Sequence, residues 1–245
     1  MTAGLPGRPL DPPVRALAIG AHPDDVEFGA GATLARWSDA GTEVVLLVLT
    51  DGSKGTWETT DRSALVRTRA DEQRAAAEIL GIHTVELLGE VDGELESGRE
   101  QRALVAAAIR RHRPEVLLGH DPWKRYRLHP DHRHAGTLTV EGLVAARDST
   151  FHPEQIEPGG LAAHRPDTLL LFEPDAPNHS EPATDEMLAR KTAALLAHRS
   201  QWRSTMGIDA DPDAEIAAFE QQVRSVALDA GGGSPAEEFH RIDDL

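Results

Sequence analysis

The 245-residue chain carries 25 Lys and Arg against 41 Asp and Glu, a formal charge of −16. It therefore lacks the positive field with which proteins bind DNA, RNA or anionic membrane surfaces, and it favours a small neutral or cationic ligand. There is no cysteine, which excludes disulfides and thiolate metal sites and leaves His and carboxylate as ligands for any metal.

No apolar run approaches the ~20 residues of a membrane span, and residues 1–16 lack a signal-peptide core, so a cytoplasmic protein is expected. Residues 1–13 contain four prolines and little that packs, and read as an exposed leader. At 40% hydrophobic content, residues 14–245 suffice for a single domain, with an elaborated lobe from about 150.

Ala16 to Ile19 is an apolar strand that opens into a loop holding His22, Pro23, Asp24, Asp25 and Glu27. A helix follows over Val26 to Ala40, with Phe28, Ala32 and Ala35 at helical spacing and Gly41 as terminus. Gly29 and Gly31 each cost a helix ~1 kcal/mol relative to alanine, so close approach to the sheet or a ligand is the expected compensation. Val44 to Leu49 is apolar on both faces, as a covered parallel strand requires. It ends in a polar loop, residues 50–56, whose Asp51-Gly52 reads first as a turn.

Arg62 to Leu80 is a long helix. Its stripe of Leu65, Ala76 and Ile79 passes through Arg69 and Glu72, which must be paired with each other or with groups in a site. Val85 to Leu88, a helix over Glu100 to His112, Val116 to Gly119 and a helix over Arg133 to Ala146 continue the alternation. The expected fold is α/β and Rossmann-like: a mostly parallel sheet with helices on both faces, three layers αβα, joined by right-handed crossovers. Beyond residue 147, Phe151 to Arg165 reads as a linker or insertion and Thr168 to Phe172 as a strand. Glu173 to Ala183 reads as a proline-bearing loop, and Thr184 as the cap of a helix that runs through Leu195. Asp211 to Ala230 is a helix without readable function, and GGGSP after it a flexible hinge.

Ligands of open α/β sheets bind at the carboxyl ends of the strands. His22 and Asp25, three apart there, read as half of a metal site. The sequence HPDH, His129 to His132, follows the fourth strand about a hundred residues later and supplies residues of the same types at the same edge. His120 ends that strand beside the site, where an ordinary strand-end residue is the favoured reading and a supporting place behind a ligand the alternative. His83, His112, His134, His152, His164 and His240 are given no role.

Together AHPDD and HPDH resemble the PIG-L/LmbE-like family of metal-dependent N-deacetylases. His198-Arg199-Ser200-Gln201 and Ala236-Glu237-Glu238-Phe239 also resemble motifs of that family. The resemblance implies that His22, Asp25 and His132 are zinc ligands and Asp24 the general base, with His129 stabilising or protonating the reacting amide and Asp131 orienting His129. It further implies pocket roles for Arg69 and for the loop of Asp51. Some members place a tyrosine where this chain has Arg127; Tyr126 is its neighbour. Lys124, Arg125 and Arg127 are either solvated loop charges or contacts to an anionic substrate group.

The implied activity is removal of an acetyl or acyl group from an N-acylated amino sugar or glucosaminyl conjugate. The expected partners are that small molecule and, as in relatives, copies of the same chain. Zn2+ is the expected ion, and Fe2+ is compatible with the same ligands. The competing readings are an amidase for a larger thiol or inositol-type conjugate and a non-catalytic metal-dependent carbohydrate-binding protein. A nucleotide-binding protein is disfavoured because GAHPDD stands where a GxGxxG fingerprint would be.

Overall fold

The computed structural model describes residues 8–57 and 61–245; the first seven residues of the expected leader lie outside them. The first half alternates strand and helix as the sequence predicts. β1 (Arg15–Gly20), α1 (Asp25–Asp39), β2 (Glu43–Thr50), α2 (Arg62–Ile79), β3 (Thr84–Glu90), α3 (Arg99–His112), β4 (Val116–His120) and α4 (Pro130–Arg147) follow in order. The second half adds α5 (Pro153–Ile156), β5 (Thr168–Phe172), β6 (His179–Pro182), α6 (Asp185–Ala197), α7 (Pro212–Ala230) and β7 (Ala236–Ile242). The seven strands are ordered β3-β2-β1-β4-β5-β7-β6, with β1 to β5 parallel and β7 antiparallel to both its neighbours.

Because β1 is covered on both faces, its residues alternate between two cores. Leu17 and Ile19 pack with Val105, Ile109 and Leu138 of α3 and α4, whereas Ala16 and Ala18 pack with Leu34, Trp37, Ala76 and Ala194 of α1, α2 and α6. This is the three-layer arrangement, and burial on both sides is why these strands read as unbroken apolar runs. β1 is flanked by β2 on one side and β4 on the other, so connections leave its end in opposite senses and open a crevice between the β1 and β4 carboxyl ends.

Gly29 and Gly31 have the compensation their helix position demands. A Cβ on Gly29 would lie 2.5 Å from the Phe172 ring of β5, and one on Gly31 would lie 3.0 Å from Cγ of Lys191 in α6.

Three readings are corrected. The segment read as a proline-bearing loop contains β6, an edge strand whose proline stands at its end, where no ladder donor is needed. GGGSP is a bonded reversal: the amides of Gly232, Gly233 and Ser234 donate to the carbonyls of Asp229, Leu228 and Gly231. Leu10 to Pro13 are tied to the body, since the Leu10 amide donates to Glu181 Oε1 at 2.9 Å and Thr42 Oγ1 to the Pro13 carbonyl at 2.7 Å.

Candidate active site

The crevice is filled by the β1–α1 turn and the start of α4. Asp24 precedes α1 with φ +101° and ψ −25°, a backbone region that costs a non-glycine residue about 1–3 kcal/mol. His129 caps α4: its Nδ1 accepts the Asp131 amide at 3.3 Å, and Pro130 begins the helix. His132 follows in the same turn.

These two elements bring three donor groups together. His22 Nδ1 and His132 Nε2 are 3.2 Å apart, His22 Nδ1 is 3.4 Å from Asp25 Oδ2, and His132 Nε2 is 3.2 Å from Asp25 Oδ1. Ligand atoms about 2.0–2.1 Å from a tetrahedral ion stand roughly 3.3 Å from one another, so the triangle fits a divalent cation. Two of the three donors, His22 and Asp25, are also oriented from behind. His22 Nε2 faces Asp131 Oδ2 at 3.1 Å and Asp92 Oδ1 at 3.2 Å, which leaves Nδ1 as the ring nitrogen facing the triangle. Asp25 Oδ2 accepts the His22 amide at 2.7 Å and faces His120 Nε2 at 3.1 Å. Among the described residues, three groups have one donor atom per residue within 4.8 Å of one another: His22/His129/His132, Asp25/His120/His132 and His22/Asp92/Asp131, which draw on all three residues of the triangle.

The electrostatics reflect a crowded set of acids. Burial disfavours a charged His22, yet hydrogen bonds to Asp131, Asp25 and Asp92 raise its pKa well above the ordinary value. Burial likewise opposes ionisation of Asp25, but His132 and His120 hold it well below the usual carboxylate range. Burial opposes ionisation of Asp92 too, but its hydrogen bond to His22 lowers it to about 2. Asp24 moves the other way: burial raises it to about 6, opposed by Arg69 and aided by Asp25. Burial, with His22 and His132 nearby, lowers His129.

A cavity of about 520 Å³ opens over this cluster, within the range of small-ligand sites. His22, Asp24, Asp25, Arg69, His129 and His132 all line it, with Lys54 to Trp57 on one wall and Gln201, Ser204 and Thr205 on another. A second cavity of about 630 Å³ lies between α1, α7 and β7 and shares Phe28 and Glu173 with the first, but the candidate ligands do not line it.

Not every residue expected at the site faces it. Asp51 forms the turn, its Oδ1 accepting the Ser53 and Asp92 amides, while Lys54 to Trp57 of its loop border the cavity. Arg127 is buried behind His120, donating to His120 Nδ1 at 3.2 Å and to Glu173 at 2.8 Å, so its guanidinium is turned away from substrate. Tyr126 is 85% exposed and does not line the cavity. The Asp131 carboxylate bears on His22 and on the Gly93 amide, and it is the Asp131 backbone amide that holds the His129 ring. Arg69 and Glu72 do not pair with each other: Arg69 turns to the pocket, 3.6 Å from Asp24, and Glu72 accepts from the Ser200 amide and hydroxyl. Ile79, expected on the packed stripe, is 36% exposed.

Sequence reasoning passed over Asp92 and Gln73, and ranked the supporting place that His120 takes against Asp25 behind an ordinary strand end. A strand-end histidine and an aspartate after β3 stand at the right edge of the sheet, which was the available signal. Gln73, in mid-helix, carried none.

A histidine and carboxylate cluster at the switch point of a parallel sheet, with an oriented donor triangle and a free carboxylate beside it, defines a candidate hydrolytic metal centre. Comparison with known proteins assigns the family. Residues 17–143 match the PIG-L family, described as GlcNAc-PI de-N-acetylase. Diacetylchitobiose deacetylase of Thermococcus kodakarensis is 34% identical over 221 residues, covering 90% of this chain and 79% of that one. A 1D-myo-inositol 2-acetamido-2-deoxy-alpha-D-glucopyranoside deacetylase of Kineococcus radiotolerans is 35% identical over 169 residues, 56% of this chain and 46% of its own. The solved N,N'-diacetylchitobiose deacetylase of Pyrococcus horikoshii superposes with a TM-score of 0.84 at 29% identity, covering 94% of this chain and 84% of that one. The chain belongs to the PIG-L/LmbE-like family of deacetylases.

Proposed function

We propose that this protein is a metal-dependent hydrolase that removes the acetyl group from an N-acetylated amino sugar or a glucosaminyl conjugate. The observation that carries the reading is the triangle of His22, Asp25 and His132 with Asp24 beside it. Those three residues would hold the ion, and imidazole with carboxylate suits Zn2+, with Fe2+ compatible. The chemistry such an ion supplies is polarisation of the amide carbonyl and a water made acidic near neutral pH.

The remaining steps belong to the side chains. Asp24, kept ionised by Arg69 3.6 Å away, accepts the proton of the attacking water. His129 has its Nδ1 occupied by the Asp131 amide, so Nε2–H is the donor available to the carbonyl oxygen as charge develops there. Asp131 and Asp92 hold His22 in the tautomer whose Nδ1 is free. The water oxygen bonds to the carbonyl carbon, the C–N bond breaks, and Asp24 returns its proton to the departing nitrogen. Acetic acid and a primary amine result, and transfer of the remaining proton between them gives acetate and the ammonium form.

The test is release of primary amine from N-acetylglucosamine, diacetylchitobiose and an inositol-linked N-acetylglucosamine, with zinc-loaded protein and Asp24→Asn as blank. Release by the wild type alone is expected, and the ranking of the three separates the sugar reading from the inositol one. Retention of these ligands without turnover would establish the binding-protein reading instead.

A further inference from the structure

Two buried residues of α2 bear on the loop of Asp24, and this inference rests on the catalytic reading above. The left-handed conformation of Asp24 persists only where the surroundings hold the adjoining peptide groups. The peptide that joins Pro23 to Asp24 is held at both polar ends. Its carbonyl accepts from Arg69 Nη2 at 2.7 Å, and its N–H donates to Gln73 Oε1 at 3.1 Å. Arg69 and Gln73 lie four apart on one face of α2, 2% and 1% exposed. Gln73 is fixed in turn: its Nε2 donates to Glu27 Oε1 at 2.5 Å, which turns its carbonyl oxygen toward Asp24. Gln73 does not line the catalytic cavity.

We propose that Gln73, anchored by Glu27 and acting with Arg69, is a positioning residue that clamps the Pro23–Asp24 peptide and so aims the Asp24 carboxylate. Without the clamp the peptide is free to rotate toward an ordinary backbone region and swing that carboxylate away. The donor triangle keeps its own supports on His22 and Asp25. The expected signature is a loss in kcat with little change in KM or metal content.

Gln73→Met alone strands the Glu27 carboxylate, so the comparison is Glu27→Gln against the double variant Glu27→Gln/Gln73→Met. Relative to Glu27→Gln, the double variant is expected to lose about 10- to 100-fold in kcat, as a reacting group misplaced by an ångström does. KM stays within about twofold, metal stoichiometry and melting temperature are retained, and hydrogen exchange at the Asp24 amide accelerates. Equal kcat in the two, or a loss that comes with loss of metal or fold, overturns the clamp. Asp24→Asn is assayed alongside. If it is inactive while the double variant is fully active, the clamp alone fails; if it turns over normally, the catalytic reading fails and the clamp with it.

Discussion

His129 shows how the fold decides the chemical state of a residue whose place in the chain was legible. The sequence marked it as a partner of the reacting amide, either cationic or a proton donor. In the structure its Nδ1 accepts the Asp131 amide at the start of α4, and burial beside His22 and His132 lowers its pKa. In the proposed mechanism it is therefore the neutral hydrogen-bond donor, through Nε2. His129→Ala is expected to cost about 10²–10³ in turnover, the usual worth of one oxyanion donor, with metal still bound. Steady-state kinetics with metal analysis of the purified variant check this. His132→Ala instead removes one corner of the donor triangle, and the same analysis is expected to find the metal lost. The motif residues were legible because their types and spacing carry the chemistry. The partner of Asp131 was not, because the Gly93 amide that holds it comes from the turn after β3.

At the scale of elements, the segment after α4 was read as a linker or insertion, and one arginine binds it to the body. Arg110 of α3 is 2% exposed. Its guanidinium donates to the carbonyls of Ala145, Ala146, Asp148, Phe151 and His152 and to Gln155 Oε1, gathering the end of α4 and the approach to α5. Each buried carbonyl left without a donor costs about 1–3 kcal/mol. Arg110→Met is therefore expected to lower stability by at least about 3 kcal/mol, or roughly 6–12 °C in Tm at this chain length, as read by thermal unfolding. No sequence pattern announces such a residue, since a charged position in α3 reads as a solvated face. The glycines of α1 are the opposite case. Their unfavourable helix propensity pointed to close packing, and Phe172 and Lys191 supply it.

At the scale of the whole molecule, charge couples the sheet to the site. Glu173, just beyond β5, sits against His120 and Arg127, and although burial opposes its ionisation those two neighbours lower its pKa from 4.5 to about 2. A carboxylate depressed in the folded state stabilises the fold above its unfolded pKa and loses that contribution as pH falls toward the folded value. Glu173→Gln is thus expected to be less stable than wild type at neutral pH, with the difference fading between about pH 4.5 and 2. The effect is modest because the side chain is 39% exposed and solvent screens it. Thermal unfolding of both proteins across that pH range is the measurement. Among the described residues no helix is long and apolar enough to cross a membrane, in keeping with the absence of long apolar runs.

The sequence by itself determined the parallel α/β architecture and the carboxyl edge as the place for chemistry, because strands covered on both faces must be continuously apolar and their loops must be polar. It also determined which residue types meet there, through AHPDD and HPDH. The tertiary structure decided which atoms face one another. Asp92 and His120 reach the cluster only because the ends of β3 and β4 lie beside the end of β1 in the sheet. Arg127 turns away from the cavity, and its Nη1 reaches His120 and Glu173. Gln73 meets Asp24 across 49 residues of chain. Spacing along a chain encodes local periodicity, whereas a hydrogen bond between separate elements depends on how whole elements pack, and that is expressed only in the folded molecule.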